Sequence, residues 1–177
     1  MNIAPIYSIT NIKISFWVKK IINIHEIKIK HNVFKIYKKN QILIIKGIFG
    51  TATILGKSFN HINLTGIKFF ENIKSNIIFF CQTFDINLES VKKTKIDCVS
   101  VVSTVREGLK NEILNNKSNH IYKIFNPPKF PGIIIRGADK ICITYFNSGK
   151  LILTGAKCAC EIRSHLLLFN NFINILK

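Results

Sequence analysis

Short stretches of this chain alternate apolar with polar residues, and longer ones space their apolar residues as a helix does. Ile9–Ser15 and Lys95–Val102 are rich in β-branched residues and predict strands. Gln41–Gly47, Ala52–Leu55 and Ile62–Gly66 predict a set of strands, and Pro131–Gly137, Ile141–Phe146 and Lys150–Gly155 a second set. Val105–Asn116 and, more weakly, Trp17–Ile27 have helical spacing. Phe69–Phe84 and Cys158–Leu176 predict amphipathic helices. In the last of these Ile162, Leu166, Phe169, Phe172 and Ile173 share a face, with Glu161, Arg163 and Asn170 at or beyond its edge. Asn147-Ser148-Gly149-Lys150 between two apolar runs is a hairpin turn, because Asn and Gly tolerate positive φ.

The pattern occurs twice. Leu43-Ile44-Ile45-Lys46-Gly47 returns ninety residues on as Ile133-Ile134-Ile135-Arg136-Gly137, and Leu64-Thr65-Gly66-Ile67-Lys68 returns as Leu153-Thr154-Gly155-Ala156-Lys157. The order is kept and the offset is nearly constant, which predicts two related halves, 1–90 and 91–177. Strands outnumber helices and hairpins favour antiparallel pairing. The expected fold class is therefore α+β: two pseudo-symmetric repeats forming one curved antiparallel sheet, with helices on one face and the other face open.

Composition narrows the function. With 47% hydrophobic and 20% charged residues among 177, the chain can bury a core and is not of the disordered class. Its formal charge of +17 fits a polyanionic partner, nucleic acid first and an anionic membrane surface second. Heavy use of Ile, Asn, Lys and Phe fits an AT-rich genome, so drift accounts for some of the charge. The five cysteines (Cys81, Cys98, Cys142, Cys158, Cys160) have no zinc or redox spacing and read as small hydrophobes in a reducing compartment. No metal or cofactor is expected. No apolar run is long enough to span a membrane and no secretory signal is visible, so a soluble intracellular protein is expected. Catalysis is not expected either. The five His are dispersed, and only His25, Glu26 and Glu107 offer a base, with no nucleophile at a matching spacing.

In the second half, alternation sends Cys142, Thr144 and Phe146 to one face and Ile141, Ile143 and Tyr145 to the other. Ile152 and Thr154 share a face, and the sequence does not say which. Phe130 and Phe146 fit either a buried cluster or a pair of rings that unstack bases.

From Phe130-Pro131-Gly132-Ile133-Ile134-Ile135-Arg136 through Asn147-Ser148-Gly149-Lys150 to Thr154-Gly155-Ala156-Lys157, the chain resembles the TATA-binding-protein family. That family's second half has a Phe-Pro-Gly stirrup, a strand ending in arginine and a hairpin closing in Thr-Gly-Ala-Lys, and it too is an internal duplication. The resemblance implies a saddle whose concave sheet sits in the minor groove of TA-rich DNA. There a protein separates A·T from G·C by acceptors and deformability, and aromatic wedges kink TA steps. By position, it implies that Phe130 and Phe146 are wedges and that Thr154, Ile152, Thr144 and Cys142 face the groove. Arg136, Lys150 and Lys157 would reach phosphates, helped by Ser148. In the first half Asn11 and Thr65 fall on groove-reading positions, and Lys46 and Lys68 on phosphate-binding ones.

The first half departs from the family. A gapless alignment between Lys46 and Thr65 sets Asn40 and Lys57 at its wedge positions; a hairpin two residues shorter would bring Phe59 there instead. Lys13 and Ser100 replace groove-floor valines, Cys98 replaces an asparagine, and Asn63 replaces an apolar contact. Before the second stirrup, Asn126-Pro127-Pro128-Lys129 lacks the acids that the family offers to transcription factor IIB. The expectation is a nuclear general transcription factor that binds and bends TA-rich promoter DNA and nucleates preinitiation complexes, with IIA-like factors and the RNA polymerase machinery as partners. The IIB-like contact is not implied by these residues. The alternative is a scaffold of the same fold, recruited by proteins and binding DNA through charge alone. Sequence preference at fixed salt separates the two.

Overall fold

In the computed structural model of the chain, residues 5–19, 37–39, 42–55, 60–116, 122–137 and 139–176 are described. They fall into two compact units, one of Asn11–Asp97 and one of Met1–Thr10 with Cys98–Lys177.

The first unit takes most of β1 (Tyr7–Trp17) and adds β2 (Tyr37–Lys39), β3 (Ile42–Gly47), β4 (Gly50–Leu55) and β5 (His61–Ile67). Its strands run antiparallel in the order β2-β3-β4-β5-β1. Helix α1 (Asn72–Thr83) and one 3-10 turn (Leu88–Ser90) follow. Ile12, Ile14, Phe16, Leu43, Ile45, Ala52, Ile54, Ile62 and Leu64 all have no exposed surface. They occupy alternate positions of their strands, as period-two patterning demands. Phe80 of α1 completes this core, its ring 5.6 Å from Phe16, 5.4 Å from Phe49 and 4.7 Å from Phe84. Burying that ring is worth about 2–3 kcal/mol.

The second unit takes most of β6 (Lys92–Thr104), then α2 (Lys110–Asn115), β7 (Lys123–Phe125), β8 (Gly132–Arg136), β9 (Cys142–Phe146), β10 (Lys150–Ala156) and α3 (Ala159–Asn174). The strand order is β6-β10-β9-β8-β7, again antiparallel. Val99, Val101, Ile133, Ile135, Tyr145, Leu151 and Leu153 form the sheet side of the core. The five apolar residues expected on the inner face of α3 are all buried. Buried Tyr145 is satisfied at its hydroxyl, which donates to the Arg106 carbonyl at 2.8 Å and accepts from Leu109 N–H at 3.2 Å.

The repeated Thr-Gly of the sequence is a bulge. In the second unit the β10–β6 register shifts between Thr154 and Ala156, and Gly155 sits there at φ +103°. In the first, the β1–β5 register shifts between Ile12 and Ile14, opposite Gly66 at φ +94°. Only glycine adopts such a backbone without strain.

Three expectations need correction. The helix expected over Val105–Asn116 covers only Lys110–Asn115. Val105 N–H is taken by the Gly149 carbonyl at 2.9 Å and Gly108 N–H by Asn147 at 2.8 Å, so the chain before α2 serves the hairpin instead. The helical reading of Trp17–Ile27 fails at its start, where Trp17 ends β1, and otherwise lies outside the described residues. Finally, Cys158 and Cys160 are disulfide-bonded, while Cys81, Cys98 and Cys142 are free. Helical backbone at Ala159, the first residue of α3, holds the two Cα atoms 5.4 Å apart. The Cys158 sulfur also accepts from Glu161 N–H at 3.3 Å, and the Glu161 carboxylate accepts from Lys157 N–H at 2.8 Å, so α3 is capped reciprocally.

Replacing Gly155 by Ala sets a Cβ 2.5 Å from the Lys140 carbonyl oxygen at positive φ. The variant should lose about 1–3 kcal/mol in denaturant unfolding at unchanged m-value. Tyr145→Phe strands the Leu109 N–H and should cost about 1–2 kcal/mol by the same measurement.

Candidate nucleic-acid interface

In each unit the strands bury one face under the helix and leave the other open. In the second unit the open face reads across the strands as rows. Ser100, Thr154, Cys142 and Arg136 are register partners in one row; Val102, Ile152, Thr144, Ile134 and Phe125 form the next. Thr154 and Ile152 therefore both lie on the open face, and the question left by the sequence is answered by their neighbours. Leu151 and Leu153, which alternate with them, are wholly buried.

Beyond these rows Gly132 pairs with Phe146, and Phe130 lies beside them. The Phe130 and Phe146 rings meet edge to face, centroids 5.9 Å apart. A Cβ on Gly132 would lie 3.0 Å from Phe130, 3.1 Å from Thr144 and 3.2 Å from Phe146. The missing side chain of Gly132 is thus the seat on which both rings rest. Phe130 is 39% exposed and Phe146 half-buried, so neither is in the core. Lys129 holds φ +63° immediately before Phe130, whose N–H bonds the Pro127 carbonyl at 3.3 Å. A tight turn thereby aims the ring.

The cations stand around this face. Arg136, Lys150 and Lys157 are exposed, as is Ser148 in the hairpin whose Gly149 N–H closes on Phe146 at 2.9 Å. The Arg136 guanidinium lies 5.5 Å from the centre of the Phe125 ring, a cation–π contact that the sequence did not signal. Thr154 Oγ1 donates to the Cys142 carbonyl at 3.4 Å. Asn126, Pro128 and Lys129 are exposed, so the surface ahead of Phe130 carries a cation and no acid.

The open face of the first unit has the same plan with other residues. Lys46, Thr51 and Thr65 form one row, and Ile44, Thr53, Asn63 and Ser15 the next. Lys46 and Lys68 are exposed, and Thr65 is half-buried with its hydroxyl 3.4 Å from the Thr51 carbonyl. Asn11 Oδ1 accepts from Gly66 N–H at 2.6 Å. Only the amide oxygen can take that bond, so the amide's N–H groups remain as its donors. Lys13 is half-buried on this face. Ser15 and Asn63 are buried there, Ser15 donating to Asp97 at 3.0 Å. A third row holds Trp17, His61, Leu55 and Ile42. Sequence reasoning missed Trp17 and His61, although Asn11, Lys13, Ser15 and Trp17 alternate visibly in β1. Asn40, Lys57 and Phe59 lie outside the described residues.

Among the described residues, no helix is long and apolar enough to cross a membrane, and no group of three His, Cys, Asp or Glu could hold a metal ion.

Residues 93–177 match the family described as transcription factor TFIID, or TATA-binding protein. The chain is similar to the TATA-box-binding protein of Cenarchaeum symbiosum, with 34% identity over 64 residues, 36% of this chain and 35% of that one. It shares 50% identity over 40 residues with that of Thermococcus kodakarensis, covering 22% and 21% of the two chains. The stretches matched thus span about a third or less of these relatives' lengths. In fold it is similar to the TATA-binding protein of Methanococcus jannaschii, at a TM-score of 0.73 and 19% identity over 96% of this chain and 99% of the other. Residues 93–177 in sequence, and the chain as a whole in fold, are thus similar to TATA-binding proteins.

Proposed function

We propose that the protein is a transcription initiation factor that binds TA-rich promoter DNA through the minor groove and bends it. The observation that carries this reading is the Phe130–Phe146 pair, seated on Gly132 at the open face with Phe130 exposed and Phe146 half-buried, and flanked by Arg136, Lys150 and Lys157. Two adjoining rings, one at a strand end and one in a tight turn, suit the unstacking of a TA step, where stacking is cheapest to break. The polar rows beside them suit a groove that offers acceptors and little else: Thr144 and Thr154 in the second unit, Asn11 and Thr65 in the first. The exposed cations would neutralise phosphates and supply affinity without sequence information.

In this reading 1–90 and 91–177 are two copies of one DNA-binding repeat, of which the second kinks the duplex more strongly. The role is structural and assembles other factors, with no catalytic step. Its partners are promoter DNA, IIA-like factors and the polymerase machinery, acting on chromosomal DNA and hence in the nucleus of a eukaryotic cell. A IIB-like partner seeking acids before Phe130 would meet Lys129 instead, so that contact is rewired or weakened.

In a competition at fixed salt the protein should prefer a TA-rich duplex over a GC-rich one severalfold. Phe130→Ala and Phe146→Ala should each lower TA-rich affinity by about tenfold or more and reduce bending, read by energy transfer between the duplex ends. Gly132→Ala should act in the same direction by displacing both rings. Equal binding to both duplexes, with bending unchanged in the ring variants, would leave a charge-bound scaffold instead. Arg136→Ala and Lys150→Ala should instead weaken binding to every sequence and each reduce the salt slope by about one.

A further inference from the structure

Asn40 and Lys57, which a gapless alignment sets at the family's first pair of wedge positions, lie outside the described residues, but the described open face of the first unit carries aromatic surface of its own. Trp17, the last residue of β1, is 41% exposed. Its indole stacks on the imidazole of His61, its register partner in β5, with centroids 4.4 Å apart and planes within 9°. The same row continues through Leu55 to Ile42, which is 37% exposed. An apolar strip therefore crosses the open face of this unit, two residues along β1 from Ser15 and four from Lys13. Nothing in the core requires it, because Phe16 and Val18 on either side of Trp17 already point inward and are buried.

We propose that Trp17, held flat by His61, is the groove-contacting aromatic residue of the first unit and packs against deoxyribose walls and base edges of duplex DNA. This rests on the DNA-binding reading above. The geometry separates its action from that of Phe130 and Phe146. Those rings stand at a strand end and a turn, where they can enter a base step. Trp17 belongs to a paired strand and lies flush against its neighbour, so it cannot insert. It supplies dry contact area instead, at small entropic cost because stacking has already fixed the ring. Lys13 replaces a groove-floor valine in β1, and the Trp17 row restores apolar contact four residues further along the same strand. His61 adds a donor beside the indole, suited to a groove acceptor or a phosphate oxygen.

Trp17 is the single tryptophan of the chain, so its fluorescence reports on this site alone. The experiment measures acrylamide quenching of the whole protein with and without a saturating TA-rich duplex, while anisotropy of a labelled duplex registers binding independently. Bound DNA should reduce the quenching constant by about twofold or more, and Trp17→Ala should weaken duplex binding by about tenfold, with Trp17→Phe intermediate. His61→Ala should weaken binding less and raise quenching in the free protein. Binding by anisotropy with Trp17 still equally accessible to acrylamide overturns the proposal and leaves the DNA-binding reading intact. A flat anisotropy titration with the wild-type protein overturns both. The wild-type quenching measurement decides the matter even if Trp17→Ala does not fold.

Discussion

Successive side chains of a β-strand leave on opposite sides, and a helix can cover only one of those sides. Everything else in this protein follows from how the two sides were assigned. In β1, β4, β5, β8, β9 and β10 the inward positions are almost all Ile, Leu, Phe, Ala or Tyr, and they lose nearly all contact with water. Slipping any strand by one residue would send that set outward and bring Asn, Thr and Lys under a helix. The open faces are the necessary complement of the cores. Their threonines, Asn11, Lys13 and the two ring pairs stand where they do because the register allows nothing else.

Register is set in both units by the same device. A left-handed glycine after a threonine (Gly66 or Gly155) inserts a bulge at the end of β5 or β10. It bends the strand and places that threonine on the open face. In the first unit the bulge does more, because Gly66 N–H fixes the side-chain amide of Asn11 and so decides which of its groups are left to donate. The second unit has Cys98 at the matching position and no such amide. One backbone solution thus supports two different surface chemistries.

The units also differ in where they carry aromatic surface. In the second it stands at the rim, on a strand end and a turn, over a residue with no side chain. On the described open face of the first, Trp17 lies within the sheet, its indole stacked on an imidazole. A ring at a rim stands clear of its strand, whereas one lying in a sheet is flush with its neighbours. Divergence of this kind leaves the fold untouched, since open-face residues contribute little to either core.

The strand and helix pattern, the repeated Thr-Gly and the alternation that puts Thr144 and Phe146 opposite Ile143 and Tyr145 could be read from the sequence alone. Each depends on a period of two, a period near 3.6 or a residue with unusual φ. What the sequence left open depended on neighbours remote along the chain. Ile152 and Thr154 took their face from Thr144 and Cys142, and the helix expected from Val105 was shortened by hydrogen bonds to a hairpin some forty residues on. Trp17 met His61, and Phe125 met Arg136, only through strand pairing. Local periodicity sets which residues can be buried. Which exposed residues stand together is decided by register between strands, and no single segment of the chain contains that.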